Sequence, residues 1–417
     1  MPQFLRSALT KGSQLEARFC RRNFHIRSQL SCKDDSKKGN ETESPLKRLL
    51  DDSASFEDTK PSNPQQRWTT MPYPQASGTN TRRQGDSFHK AKKDPKDCSI
   101  ILFPGQGSQY VGMAKDLQKF PMARDLFELA SYILKYDLLK LCLEGPKKEL
   151  DQTRYSQPAI LVTSLAAIER LKEERPNAIK NCVATAGFSL GEITALIFAG
   201  ALGFEKGLQL VQIRAEAMQL ASETHQGGML TVFYGPDSKL SFACKQAKQW
   251  AVDKGDNVPE CKISTYLSPN CKVVAGSLML HLLPPQAIEY LEANYQEYRL
   301  RKVHRLPVSG GFHSELMASA VEPFRRALNK AELQEPIVSV YSNLDGKRYR
   351  NVEHIKKQLP KQITRPVKWE QLLHVVYERN PDEDFPNTFE CGPGQSLKAI
   401  LKQVNLKAWT KCYSIEA

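Results

Sequence analysis

The stretch CVATAGFSLGEITALIFAG, from Cys182 to Gly200, constrains the fold more tightly than any other part of the chain. An apolar, strand-like run leads into Gly-Phe-Ser-Leu-Gly, and a helical pattern follows at once. A strand that turns sharply into a helix is the building unit of parallel α/β sheets. The same texture recurs around it. SIILF (99–103) reads as a buried strand feeding the glycine-rich turn PGQGSQ, while AILVTSLAAIERLKEE and KGLQLVQIRAEAMQLASE carry apolar residues at helical spacing. From about 225 to 308 the order changes: GGMLTVFYG, CKISTYLS and CKVVAGS are strand-like, with helices expected near 237–252 and 284–297. This βαββαβ-like succession suggests a small ferredoxin-like insert. After RLPVSGGFHSELM the larger unit resumes with a helix over 314–331, the strand IVSVYSN, helices over 352–360 and 367–378, the strand NTFECG and the helix QSLKAILKQV. The expected organisation is an α/β core in two parts, 98–224 and 309–417, with the insert at 225–308 between them.

Length and charge describe the rest. At 417 residues the chain exceeds the usual single-domain size. Its net charge of +13 is uneven. Residues 1–33 hold seven basic side chains against Glu16 alone, are dotted with serine and lack a continuous apolar run. That is the make-up of an organelle transit peptide rather than a secretory signal. Residues 34–97 nearly balance their charges and are rich in Pro, Ser, Gln and Thr, as a disordered linker would be. The modest basic excess of the remainder suits an acidic partner or a merely solvated surface, and nothing in it calls for nucleic acid. No run of 18 apolar residues offers a membrane span. Ten cysteines, without a CxxC pair or a histidine-rich neighbour, point to buried thiols rather than a metal site or a disulfide framework.

The chemistry centres on Ser189. In a strand–turn–helix setting, Gly-x-Ser-x-Gly forces the serine into a strained conformation, with its hydroxyl presented at the carboxyl end of the sheet. The next backbone N–H, that of Leu190, lies at a helix N-terminus and can help hold an oxyanion. A helix-capping serine with glycines nearby is the plainer reading of the same residues. A nucleophilic serine needs a base, and His25, His89, His225, His281, His304, His313, His354 and His374 are the choices. His313, in PVSGGFHSELM between a strand and a helix, sits where functional side chains are commonly presented, although a polar loop histidine fits equally. No Asp or Glu stands in an obvious third position to orient it.

Six segments, LFPGQGSQYVGM, GFSLGE, QIRAEAM, GGFHSELM, QITRPVKW and FECGPGQSLKAI, occur in an order that resembles the malonyl-CoA:acyl carrier protein transacylases. The resemblance spans about 99–405 and, with the leader, suits a mitochondrial member from an animal. It implies a parallel-sheet, hydrolase-like α/β core with an inserted ferredoxin-like subdomain. It implies that Ser189 is the acylated nucleophile, His313 the general base and the backbone carbonyl of Gln362 the orienter of that base. Gln106 and the Leu190 N–H would form the oxyanion hole. Arg214, 25 residues after Ser189, would bind the malonyl carboxylate, a task for which a planar guanidinium with parallel donors is suited. Arg365 and Lys368 are expected to be surface charges. Two positions depart from bacterial relatives: Phe188 stands where His is frequent, and Leu267 where Asn precedes a Ser-Pro pair.

The implied reaction is malonyl transfer from malonyl-CoA to the phosphopantetheine thiol of acyl carrier protein through a malonyl-serine, serving fatty acid synthesis in the mitochondrial matrix. Exchange of one thioester for another needs no cofactor and no metal. Two rivals share parts of this reading. A serine thioesterase or other hydrolase of acyl-CoA would use Ser189 but not Arg214, and a silent scaffold for acyl carrier protein would have no need of Ser189 or His313.

Overall fold

The computed structural model describes residues 94–278, 287–308, 310–380 and 382–416. The leader expected at 1–33 and all but the last four residues of the expected linker lie outside them. The first part of the chain runs through β1 (Ser99–Phe103), α1 (Pro121–Leu134), α2 (Thr153–Glu174), β2 (Cys182–Gly187), α3 (Leu190–Phe198) and α4 (Phe204–Thr224). The middle holds β3 (Gly227–Phe233), α5 (Leu240–Asp253), β4 (Cys261–Ser268), β5 (Cys271–Ser277), α6 (Ala287–Asn294) and β6 (Lys302–Arg305). The last part adds α7 (Val321–Lys330), β7 (Ser339–Tyr341), β8 (Val367–Lys368), α8 (Trp369–Val376), β9 (Asn387–Cys391), α9 (Ser396–Val404) and β10 (Cys412–Ile415).

Five strands form the main sheet in the order β10-β9-β1-β2-β7, all parallel. β1 lies centrally and is buried along its whole length, which explains its unbroken apolar sequence. Its side chains alternate between two cores. Ile101 and Phe103 face the layer containing α2, α3 and α4, where Leu161, Leu165, Ile193 and Leu208 pack. Ile100 and Leu102 face Trp369 and Leu372 of α8 and Leu397 and Leu401 of α9. Phe103 and Leu102 are fully buried, so truncation of either to alanine would cost about 2–5 kcal/mol.

The second sheet has the order β6-β3-β5-β4-β8. β3 runs antiparallel to β5 and β6, and β4 antiparallel to β5. β3 to β6 thus follow the βαββαβ path of a ferredoxin-like unit. Leu230 and Val232 turn toward α5 and α6, while Met229, Val273 and Ala275 join the main core, so the two sheets share one hydrophobic interior. The fifth strand, β8, comes from far along the chain and pairs parallel with β4, Thr265 opposite Val367. The small sheet therefore draws on the C-terminal segment as well as on the insert. Two residues are too few to register as a period, and β10, at the edge of the main sheet, has only four.

Candidate active site

Three parallel neighbours, β1, β2 and β7, end on the same edge of the main sheet, and the loops that leave them converge there. After β2 the chain bends at Ser189, whose φ of 52° and ψ of −101° lie far from any relaxed conformation for a side-chain-bearing residue. Ser189 is followed directly by α3, which begins at Leu190. The flanking glycines are sterically required: a Cβ on Gly187 would stand 1.8 Å from the Gly191 carbonyl carbon, and one on Gly191 would stand 2.2 Å from the Phe103 oxygen. Close packing of β1 against the bend is completed by Phe188 N–H donating to Phe103 O at 2.9 Å. The Phe188 ring packs edge-on against Trp369, an apolar role in place of histidine's polar one.

Asn343, two residues beyond β7, locks the bend from the other side. Its Oδ1 accepts from Ser189 N–H at 2.7 Å and its Nδ2 donates to Gly187 O at 2.8 Å. One side chain thereby satisfies the polar backbone on both sides of Phe188, which offsets part of the cost of the strained turn.

His313 is delivered by the connection that returns from β6 to the main core. It has a φ of 59°, and Ser314 behind it caps the short helical turn Glu315–Ala320. Its Nε2 lies 2.8 Å from Ser189 Oγ and its Nδ1 2.6 Å from the backbone oxygen of Gln362. A carbonyl oxygen can only accept, so Nδ1 carries the proton and Nε2 is left as an acceptor for the serine hydroxyl. Burial holds His313 at about 4, with the hydrogen bond to Gln362 opposing the shift and the Arg214 charge adding to it. At neutral pH the imidazole is uncharged and can take a proton.

Arg214, on α4, is buried with 1% of its surface exposed. Its Nη2 donates to Ser189 Oγ at 3.1 Å and to Gln362 Oε1 at 2.8 Å, and its Nη1 to Gln157 Oε1 on α2 at 2.7 Å. Its Nε has no hydrogen-bond partner. Desolvation lowers its pKa to about 10, and the nearby Glu192 charge resists that shift, so the guanidinium is cationic at pH 7. A buried cation with an unused donor beside a serine hydroxyl is suited to an anionic group.

Gln362 lies on the turn Leu359–Ile363, just ahead of β8. Besides the carbonyl facing His313, its Nε2 donates to Ser189 O at 2.8 Å and to Glu192 Oε2 at 2.5 Å. Gln106 follows β1, as expected, but its side chain is turned aside: Nε2 donates to Thr153 Oγ1 at 3.1 Å and Oε1 accepts from Gln157 at 3.3 Å. Arg365 and Lys368 are exposed, as expected of surface charges, while Leu267 is half-buried against the main core. Sequence reasoning missed Asn343, Glu192, Gln157 and Tyr349. Of these, only Glu192 sits inside a motif, three residues beyond Ser189.

A family model described as an acyl transferase domain matches residues 100–383. A mitochondrial protein of Drosophila melanogaster, named a probable malonyl-CoA-acyl carrier protein transacylase, is 56% identical over 78% of this chain and 84% of its own length. The chain belongs to the malonyl-CoA-acyl carrier protein transacylase family. The human mitochondrial transacylase is 49% identical over 78% of this chain and 81% of its own. Among solved structures, the transacylase of Xanthomonas oryzae superposes with a TM-score of 0.67 at 27% identity, covering 77% of this chain and 95% of that one. The α/β fold read from the sequence is therefore the fold of the transacylases, and the animal members' names agree with the mitochondrial address read from the leader. Among the described residues no helix is long and apolar enough to cross a membrane, and no cluster of three or more His, Cys, Asp or Glu could hold a metal.

Proposed function

We propose that the protein transfers the malonyl group of malonyl-CoA to the phosphopantetheine thiol of acyl carrier protein, in the mitochondrial matrix, through a malonyl ester on Ser189. His313 Nε2 takes the hydroxyl proton as Ser189 Oγ attacks the thioester carbonyl. The carbonyl oxygen becomes an oxyanion facing the backbone N–H groups of Gln106 and Leu190. Collapse breaks the carbon–sulfur bond, and the CoA thiol leaves with the proton held by His313. The carrier thiol then gives its proton to His313 and attacks the ester, and the same steps run in reverse order to regenerate Ser189. The Gln362 carbonyl keeps the imidazole in the productive tautomer throughout, the part a carboxylate plays in serine hydrolases.

Arg214 sets the donor. A malonyl carboxylate entering beside Ser189 would meet the unused Nε–H and displace the weaker contact of Nη2 with the serine hydroxyl. The observation that carries the reading is this buried guanidinium 3.1 Å from a serine that is itself 2.8 Å from a neutral histidine. A thioesterase would need the second contact and not the first. The test is incubation with radiolabelled malonyl-CoA, followed by peptide mapping and addition of carrier protein. Label on Ser189 that moves to the carrier thiol is expected, and Ser189→Ala should remain folded and unlabelled. Free malonate as the main product would make the protein a hydrolase instead.

A further inference from the structure

Glu192 is a carboxylate with no exposed surface, in the first turn of α3, and the transfer steps above make no use of it. Its surroundings are all donors. Oε1 accepts from Asn343 N–H at 3.1 Å and from Tyr349 OH at 2.7 Å, and Oε2 accepts from Gln362 Nε2 at 2.5 Å. Tyr349 is buried and sits at the same end of the sheet, its N–H bonded to Val340 O. A carboxylate is a costly group to bury, and the cost is tolerated here because all three contacts arrive from donors.

We propose that Glu192 is a positioning residue that sets donor selectivity, by fixing which end of the Gln362 amide faces Arg214. Gln362 Nε2 faces two acceptors, Glu192 Oε2 and Ser189 O, and its Oε1 faces a donor, Arg214 Nη2. The reversed amide would set its N–H groups against the guanidinium and its oxygen against a carboxylate and a carbonyl. Only one orientation is compatible with the neighbours, and Glu192, whose pKa burial raises to about 7 against its three donors, reinforces it in the ionised form because a carboxylate cannot donate. The amide in turn holds Nη2 near Ser189 Oγ, where a malonyl carboxylate would have to be met. The backbone oxygen of the same glutamine serves His313 independently, so the base does not depend on the amide's orientation. The inference rests on Arg214 being the carboxylate-binding group.

Glu192→Gln is nearly isosteric and separates the two ends. With its oxygen kept on Asn343 and Tyr349, the new side chain points N–H groups at Gln362 Nε2, and the amide loses one of the three contacts that hold its orientation, keeping those to Ser189 O and Arg214 Nη2. The measurement is kcat/KM for malonyl-CoA and for acetyl-CoA, which has no free carboxylate, together with melting temperature. The malonyl-to-acetyl ratio is expected to fall about tenfold to a hundredfold, the range for a lost hydrogen bond to a charged group. Tyr349→Phe withdraws one donor from Glu192 and leaves Gln362 and Arg214 untouched, so the same ratio should fall a few-fold in a folded protein. An equal loss for both donors in Glu192→Gln, the mark of a merely structural role, would overturn the proposal. So would an unchanged ratio in folded Tyr349→Phe if Glu192→Gln fails to fold. Arg214→Ala measured alongside separates the two ideas. If it lowers the ratio and Glu192→Gln does not, the positioning role falls and the transfer reading stands. If Arg214→Ala leaves the ratio unchanged, the carboxylate role of Arg214 falls and takes this proposal with it.

Discussion

Replacing Arg214 by alanine tests the least common feature of the site, a fully buried guanidinium in contact with the nucleophile. The consequences divide into binding and folding. For binding, a malonyl carboxylate would enter a pocket from which the cation beside Ser189 has gone. Truncating one partner of such a desolvated charge pair costs about 2–5 kcal/mol, which is about 30-fold to several-thousand-fold in kcat/KM for malonyl-CoA. For folding, Gln157 Oε1 and Gln362 Oε1 lose donors at 2.7 and 2.8 Å, and each buried acceptor left unpaired costs about 1–3 kcal/mol. Glu192 also loses its nearest compensating charge. A lower melting temperature is therefore expected whatever the role of Arg214, and stability alone cannot decide. The deciding assay is kcat/KM for malonyl-CoA and acetyl-CoA in wild type, Arg214→Ala and Arg214→Lys, at a temperature where all three are folded. The acetyl donor has no carboxylate to strand and should lose far less than the malonyl donor. Lysine keeps a cation but not the planar fork, so it should fall between the other two. An equal loss with both donors in Arg214→Ala would refute the reasoning and leave Arg214 a buried structural residue.

Three further outcomes follow from the geometry of His313 and a fourth from the leader sequence. His313→Ala should slow acylation of Ser189 by about two to four orders of magnitude, the range for losing a general base, and rapid-quench labelling with malonyl-CoA measures it. Because burial holds His313 near 4, the acidic limb of the kcat/KM profile should lie clearly below 6.5, and a limb at or above 6.5 would contradict the buried, neutral imidazole. A folded pKa below the unfolded one means the unfolded chain binds the extra proton between about 4 and 6.5, so this histidine's contribution is lost as pH falls through that window; relative to wild type, His313→Ala should gain up to roughly 3 kcal/mol on acidification, read from chemical denaturation at each pH. Finally, residues 1–33 fused to a fluorescent reporter should carry it to mitochondria, and a cytosolic reporter would count against the leader.

Much of this was legible in the sequence because the elements that make the site have local signatures. The bend at Ser189 needs glycine at both 187 and 191, and those glycines are visible between a strand-like and a helix-like run. β1 is buried on both faces, and its unbroken apolar run says so directly. Ser189 can be singled out from residue type and setting and His313 only as one of two equal readings, whereas Arg214, Gln106 and Gln362 needed the resemblance, since an arginine on a helix or a glutamine in a turn carries no signal of its own. The short strands β8 and β10 had none either, because two to four residues give no period to read.

What stayed hidden are side chains whose work depends on a long closure of the chain. Asn343 lies 154 residues from Ser189 and Gln362 lies 170 from Glu192, yet each makes buried contacts that define the elbow and its neighbours. The topology accounts for this. β2 and β7 are adjacent in the sheet but are separated in sequence by the whole small sheet except β8, so the loop after β7 reaches the nucleophile only once that insert has folded back. His313 enters from the end of the insert and Gln362 from the turn before β8, the strand that ties the C-terminal segment to the insert's edge. The base and its orienter thus sit at the two seams between the sheets, and the serine at the edge of the larger one. Because the sheets share one interior, a change that shifted one against the other would stretch the 2.6 Å and 2.8 Å contacts of His313 together with that packing. The packing of Met229, Val273 and Ala275 into the main core is therefore as much a part of the site's geometry as the residues that line it.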